Sequence, residues 1–395
     1  MSMDHLSTHW RSPALAVVST FPPTACGLAT FASALTNGLS EIGVRDVGVV
    51  RVCVDESRTD DMRVIGHLRP DSPSSRQAIV HRLNAYDCVL LQHEYGIFGG
   101  VDGDEILDVI EDLEVPVITT LHTVPLKPTP GQRFVLESIV DRSASVVTMT
   151  ESASRRLWKH YDVDPTKVVN IAHGATVPRV LTPPALTGTT TFLTWGLLGP
   201  GKGIEWVVDA LGELAQKGLD ARYVVAGRTH PKVLANDGEA YRDMLISRAE
   251  HLGVADMVEF DSAYRPLGSL IELIEQSTCV VLPYDSDDQI TSGILVDAIA
   301  AGRPVIATQF PHAREVLENG AGLVVPHADV PALATAMEQV VTDRSLVANM
   351  AMVASTMAPN YRWPVIAAEY ADLAAAIALR TSSIERTVAL SGGGE

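Results

Sequence analysis

The stretch Gly196-Leu197-Leu198-Gly199-Pro200-Gly201-Lys202-Gly203 lies near the middle of a 395-residue chain, and its reading decides the rest. It follows an apolar run, Thr191-Phe192-Leu193-Thr194-Trp195, and precedes Ile204-Glu205-Trp206-Val207-Val208-Asp209-Ala210-Leu211, which has helical periodicity. Strand, glycine-rich turn and helix in that order build a phosphate cradle. The glycines let backbone N–H groups approach phosphate oxygens, and the helix N-terminus adds positive potential. Lys202 supplies a full charge, which a tight turn with a merely solvated lysine would not need between two glycines. The spacing Gly196-x4-Gly201-Lys202 also matches the opening of a nucleoside-triphosphate loop. That loop continues with Ser or Thr, whose hydroxyl holds Mg²⁺, and here the residue is Gly203. The stretch is therefore read as a phosphate site of another kind.

The pattern around it alternates. Before the stretch, apolar runs at Ala14–Thr20, Val47–Val52, Cys88–His93, Pro116–His122, Ser145–Thr150 and Val168–Ala172 are separated by helical patterns near Ala29–Ile42, Arg76–Tyr86, Asp104–Leu113, Gly131–Arg142 and Ser152–Tyr161. After it, strands are expected at Thr191–Trp195, Ala221–Ala226, Met257–Phe260, Cys279–Pro283, Pro304–Thr308 and Gly322–Val325. Helices are expected near Ile204–Gln216, Tyr241–His251, Leu267–Gln276, Thr291–Ala301, His312–Asn319 and Pro331–Val341. Near-continuous apolar strands are those buried on both faces, so the fold class is α/β with doubly wound parallel sheets. The expected division is a first Rossmann-like domain over 12–181, a Pro/Thr/Gly-rich linker over 182–190, a second such domain over 191–363, a closing helix over 364–380 packing back on the first domain, and a disordered tail over 381–395. Ligands in such sheets bind beyond the carboxyl ends of the strands, so two domains facing across a cleft would share one site.

Composition narrows the function. A hydrophobic content of 46% with 20% charged residues fits a soluble globular chain, and a net charge of −18 repels a polyanion, which argues against nucleic acid as partner. The four cysteines, Cys26, Cys53, Cys88 and Cys279, form no paired motif and fit a reducing compartment. The N-terminus carries Asp4 and His5 where a secretion signal would be apolar, and no window holds 18 consecutive apolar residues. A cytoplasmic protein is expected, with peripheral membrane contact left open.

Other loops carry polar groups at strand ends. Gly27 follows the first strand in Pro22-Pro23-Thr24-Ala25-Cys26-Gly27. His93 and Glu94 open a glycine-rich loop that reads either as a structural turn or as a mobile lid over an acceptor. His122 ends a strand in Thr119-Thr120-Leu121-His122-Thr123. The segment Asp285-Ser286-Asp287-Asp288-Gln289-Ile290-Thr291-Ser292-Gly293 is acidic and rich in hydroxyls, matches no calcium loop, and runs into a helix bearing Asp297. Phe310-Pro311-His312-Ala313-Arg314-Glu315 starts another helix whose free N–H groups suit an anion.

Taken together these positions resemble the family-4 retaining glycosyltransferases of the GT-B fold, from about Ala14 to Leu373 and most closely in the second half. The family's G-R-L-x3-K-G motif lines up with Gly196, Leu197, Leu198, Lys202 and Gly203. Tyr223-Val224-Val225-Ala226-Gly227 matches its next turn, and Ala300-Ala301-Gly302-Arg303-Pro304-Val305-Ile306-Ala307-Thr308 is similar to its A-x-G-x-P-V-I-A signature. Glu315 with Gly322-Leu323-Val324-Val325-Pro326 resembles its E…G-hh-v-P segment, and Asn360-Tyr361-Arg362-Trp363 its closing helix. The Gly27 loop and His122 sit where the family has its glycine loop and active-site histidine. Two positions depart: Leu197 replaces an arginine, for which Arg228 is a substitute, and Gln289 replaces the first of two glutamates, while Asp297 keeps a carboxylate at the second.

The resemblance implies a transferase that moves a hexosyl group, with retention, from a GDP-mannose or UDP-glucose type of donor to a hydroxyl on a glycan, lipid or small molecule. It implies no cofactor and no metal. Lys202, His122 and Gln289 would be the catalytic residues. Gly27, His93, Glu94, Gly199, Gly201, Arg228, Ser292, Gly293, Asp297, His312 and Glu315 would bind substrate. The competing readings are an epimerase or hydrolase on the same fold, and a sugar-nucleotide-binding protein without catalysis.

Overall fold

The computed structural model describes residues 12–53, 59–263 and 265–391. The expectation drawn from the N-terminal decapeptide lies outside them. The chain forms two compact units, one of residues 1–174 with 363–395 and one of residues 175–362.

The first unit is a seven-stranded parallel sheet of β1 (Ala14–Ser19), β2 (Asp46–Val52), β3 (Val64–Leu68), β4 (Cys88–His93), β5 (Val117–Leu121), β6 (Ser145–Thr148) and β7 (Val168–Asn170), in the order β3-β2-β1-β4-β5-β6-β7. Its helices are α1 (Gly27–Glu41), α2 (Pro73–Leu83), α3 (Glu105–Glu111), α4 (Pro130–Arg142) and α5 (Glu151–His160). β1 and β4 are buried along their whole length, as a central strand covered on both faces requires. One layer of the core joins Leu15, Val17, Leu90 and Ile118 of the sheet to Leu35 and Leu39 of α1 and to Ile366, Ala367 and Tyr370 of the terminal helix. Gly38 is the contact point: a Cβ there would stand 2.8 Å from the carbonyl oxygen of Trp363.

The second unit repeats the plan with six parallel strands, β8 (Thr190–Trp195), β9 (Ala221–Ala226), β10 (Val258–Asp261), β11 (Cys279–Leu282), β12 (Val305–Thr308) and β13 (Gly322–Val325), ordered β10-β9-β8-β11-β12-β13. One face is covered by α6 (Ile204–Gln216), α8 (Ala240–His251) and α12 (Val330–Thr342), through Val208, Leu211, Leu245 and Met337. The other is covered by α9 (Leu267–Gln276), α10 (Gly293–Ala300) and α11 (Pro311–Leu317), through Ile274, Leu295, Ile299 and Val316. The short α7 (Pro231–Asp237), then α13 (Arg344–Met357) and the terminal α14 (Trp363–Ser391) complete the chain.

Several boundaries differ from expectation. β3, α7 and α13 were not expected. The units divide at 174/175, not 181, because residue 175 onward is held by the second unit: Ala175 N donates to Tyr361 O at 2.7 Å, and the buried Arg303 guanidinium donates to the carbonyls of Ser277 and Thr182. The closing helix starts at Trp363 and continues through Ser391, where a disordered tail was expected from 381; no glycine or proline interrupts residues 381–391, and residues 392–395 lie outside the described set.

Candidate functional site

In each sheet the strand order reverses between two neighbours, β1 and β4 in the first unit and β8 and β11 in the second. The loops leaving the carboxyl ends of such a pair diverge and leave a crevice. In the second unit those loops are Gly196–Gly203 and the segment from Pro283 to Ser292, so the two stretches singled out by composition lie together.

The backbone explains why residue 203 is glycine. Gly203 is the N-cap of α6 with φ +66, in the left-handed region, and a Cβ would stand 1.9 Å from the carbonyl oxygen of Pro283. A hydroxyl-bearing residue therefore has no place there, and no side chain caps α6, so its first N–H groups are not taken by a capping side chain. Asp285 N donates to Gly201 O at 3.0 Å and ties the two loops. Lys202 is half-buried, with Nζ 4.7 Å from the centre of the Tyr284 ring, a cation–π distance, and burial holds its pKa below the usual lysine value. Tyr284 is buried, tilted against Phe310 at 5.3 Å, and bonded to the Ser292 hydroxyl. Ser292 caps α10 by accepting from Leu295 N at 3.3 Å, and its own N–H donates to His312 Nδ1 at 2.8 Å. Accepting there leaves Nδ1 of His312 without a proton, so Nε2 carries it. Lys202, Tyr284, Ser292 and His312 thus form one linked series at the ends of β8, β11 and β12, with Gly199, Gly201 and Gly293 beside it.

The remaining residues of this unit have distinct settings. Arg228 follows β9 and, with Trp195, Leu197 and Gly227, lines a cavity of about 150 Å³. Its carbonyl accepts from Leu198 N at 2.9 Å, which puts it next to Leu197. Gln289 turns its amide back onto the carbonyl of Thr291. Asp297, half-buried on α10, has its pKa pushed up to about 7 by burial. His312, expected to bind substrate, is only 3% exposed and supports the Ser292 backbone through its Nδ1. Glu315 is half-buried on α11, and the pKa of Tyr361 is raised by burial first and then by the Glu315 charge.

In the first unit the switch-point loops are those after β1 and β4. Gly27 opens α1 and is exposed, and the thiol of Cys26 caps that helix by accepting from Ala29 N at 3.4 Å. The loop before it is pinned by Arg51, fully buried on β2, which donates from Nε to Phe21 O at 3.2 Å and from Nη2 to the Thr24 hydroxyl at 2.8 Å. Glu94 accepts from the Thr123 hydroxyl at 2.5 Å, and burial lifts its pKa. His122, half-buried at the end of β5, bonds through Nε2 to Gln92 Oε1 at 2.9 Å and stands edge-on to Phe31 at 4.8 Å. His173 meets the same phenyl ring at 5.1 Å. Burial lowers the pKa of His122 to about 3 and that of His173 to about 4, so both rings are neutral. His93, expected to bind substrate, is fully buried between Tyr95 and Phe98, with neither ring nitrogen hydrogen-bonded.

Sequence reasoning missed Tyr284, Arg51, Gln92 and His173. For Arg51 and Gln92 the signal was present, a polar residue following a run of apolar ones inside a strand. Tyr284 and His173 carried none, since their importance comes from loops that meet only in three dimensions. Among the described residues no group of three or more His, Cys, Asp or Glu is placed to hold a metal ion, and no helix is long and apolar enough to cross a membrane.

Residues 189–343, which contain the Lys202 loop, Asp297 and His312, match the family model for glycosyl transferases group 1. Among curated proteins, D-inositol 3-phosphate glycosyltransferase of Rhodococcus jostii is 27% identical over 272 residues, 63% of this chain and 58% of that protein. Phosphatidyl-myo-inositol mannosyltransferase of Mycobacterium leprae is 24% identical over 279 residues, 69% of this chain and 70% of that protein. The chain thus spans less than two thirds of the length of the Rhodococcus relative. Among solved structures, a glycosyltransferase from Rickettsia africae superposes with a TM-score of 0.73 at 16% identity, covering 92% of this chain and 98% of that one. Anabaena HepE in complex with UDP superposes with a TM-score of 0.69 at 15% identity, covering 91% and 99%. Two parallel-sheet units of this topology define the GT-B class, and the chain has that fold. Within that fold, residues 189–343 resemble the glycosyl transferases group 1, and the relatives named above are glycosyltransferases.

Proposed function

We propose that the chain is a retaining glycosyltransferase that moves a hexosyl group from a nucleoside-diphosphate sugar, of GDP-mannose or UDP-glucose type, to a hydroxyl of a glycan, lipid or small molecule. The observation that carries this reading is Lys202: a half-buried cation between left-handed glycines, beside a helix N-terminus that no side chain caps. Anabaena HepE was solved with UDP-glucose, and the relatives named above act on inositol-containing molecules, in keeping with a sugar nucleotide and a hydroxyl acceptor.

When the bond from the sugar C1 to the diphosphate breaks, its electron pair goes to the β-phosphate oxygen. Lys202 and the first N–H groups of α6 stabilise that charge, which is electrostatic catalysis by groups fixed beforehand. Asp297 receives the ribose hydroxyls, and Gln289 and Gly293 the sugar. His122, neutral, orients the donor sugar as a hydrogen-bonding group, not as a cation. The acceptor hydroxyl attacks C1 from the face the diphosphate leaves and gives its proton to the departing β-phosphate oxygen, so no carboxylate nucleophile is needed. The reaction uses no metal, and the chain works in the cytoplasm, in keeping with four free cysteines. Leu197 in place of an arginine favours, as a second reading, a protein that binds the sugar nucleotide without turning it over.

Calorimetric titration with UDP, GDP and ADP, in EDTA and in Mg²⁺, tests the assignment. One nucleotide should bind in EDTA, and Lys202→Ala should weaken it about tenfold to a hundredfold, the worth of a charge-assisted hydrogen bond. Unchanged affinity in that variant removes the phosphate site. Binding without turnover over a panel of acceptors favours the second reading.

A further inference from the structure

Gln92 is the next-to-last residue of β4, Cys88-Val89-Leu90-Leu91-Gln92-His93, where it follows four apolar residues, and it has no exposed surface. Its Nε2 has no hydrogen-bond partner, so placing an amide here costs stability that a leucine would not. Its side-chain hydrogen bond is the one that Oε1 accepts from Nε2 of His122, at 2.9 Å. The same sheet face carries other buried polar side chains, two of them beside Gln92. Thr120, directly opposite Gln92 in the β4–β5 register, bonds to the hydroxyl of Tyr370 at 3.0 Å. Ser19, at the end of β1, has a buried hydroxyl with no partner. A core that keeps an incompletely satisfied glutamine under a strand-end histidine is specifying that ring.

The ring is constrained from two other sides. Phe31 meets it edge-on at 4.8 Å, and the His122 backbone N–H is fixed on the His93 carbonyl at 3.1 Å. Rotation is therefore restricted, and what is left to decide is which nitrogen carries the proton. An amide oxygen accepts and cannot donate, so it selects the Nε2–H form and leaves Nδ1 with a lone pair.

We propose that Gln92 is a positioning residue that fixes His122 in the Nε2–H tautomer, so that Nδ1 is presented as a hydrogen-bond acceptor at the carboxyl end of the first sheet. Its use in catalysis rests on the glycosyltransferase reading, in which that acceptor receives a sugar hydroxyl. The tautomer itself does not depend on that reading.

The test separates the two. Full-length protein labelled with ¹⁵N-histidine is compared by long-range ¹H–¹⁵N correlation as wild type, Gln92→Glu and Gln92→Met, with His122→Gln to assign the signal. Wild type and Gln92→Glu should show a single Nε2–H tautomer for His122. Gln92→Met, of similar volume with no acceptor oxygen, should show the other tautomer or exchange between both. An Nδ1–H ring in wild type, or an unchanged Nε2–H ring in Gln92→Met, overturns the proposal. In a turnover assay Gln92→Met should lose about 10²-fold in kcat, the cost of a misaligned group, with KM for the donor less affected and Gln92→Glu recovering part of the loss. A tautomer change in Gln92→Met, with no loss of turnover in either Gln92→Met or His122→Gln, leaves the positioning intact and refutes the catalytic role of His122.

Discussion

Replacing Asp297 by Asn separates burial from ligand binding at one residue. Burial pushes its carboxyl up from 3.8 to about 7, so between those values the folded chain holds a proton that the unfolded chain has released. Folding stability then falls as pH rises through that window and levels off above about 7. At about 1.4 kcal/mol per pH unit a fully desolvated carboxylate would cost about 4 kcal/mol, and the partial exposure of this side chain reduces the expected figure to about 1–2 kcal/mol. Asparagine keeps the shape and has no charge to desolvate. Its stability relative to wild type should therefore be nearly equal at pH 4 and rise to about 1–2 kcal/mol in its favour by pH 8. Urea unfolding followed by tryptophan fluorescence, with both proteins measured at each pH, reads the difference. At pH 8 the same variant should bind UDP or GDP less well than wild type while binding pyrophosphate equally. A stability difference that is flat with pH would mean that the carboxylate is solvated and the burial argument fails. Equal losses for nucleotide and pyrophosphate would remove the ribose contact.

Two further substitutions probe the loops. Gly203→Ala puts a Cβ against the Pro283 carbonyl in a left-handed conformation, and should cost at least about 1–2 kcal/mol from backbone strain alone, seen as a lower thermal midpoint together with weaker nucleotide binding; a neutral result would refute the close approach. His93→Phe removes a neutral buried imidazole with a pKa of about 3, which binds no proton when folded while the unfolded residue does below 6.5, so wild type loses stability as pH falls through that range. The variant should gain about 2 kcal/mol on wild type between pH 7 and pH 5, checked by paired urea titrations; the same difference at both pH values would contradict it.

Most of the fold was legible because parallel strands buried on both faces leave long apolar runs, as in Ala14–Ser19 and Cys279–Leu282. What escaped had a physical cause in each case. β3 is an edge strand interrupted by Gly66 and His67, so its apolar run is broken. α13 follows α12 with only Asp343 between them, which ends one helix and caps the next by accepting from Leu346 N at 2.9 Å; no glycine or proline marks the join. The glycine-lysine loop was readable because its chemistry is local. The pairing of Lys202 with Tyr284 was not, since 81 positions of chain separate partners that only the β8–β11 neighbourhood brings within 4.7 Å.

The first unit is discontinuous along the chain, and this sets a timetable for its birth on the ribosome. Residues 1–174 emerge first, yet the core they begin is completed by Ile366, Ala367 and Tyr370, which follow only after the whole of residues 175–362 has been made. At the usual pace of synthesis, about 5–20 residues per second, the gap of about 190 residues lasts about 10–40 s. Through that interval Leu35, Leu39 and the sheet face beneath them lack their cover, while the second unit, continuous in sequence, can fold without waiting. The nascent chain is thus exposed to aggregation or chaperone capture at one defined apolar face for one defined period, which closes when the helix beginning at Trp363 arrives.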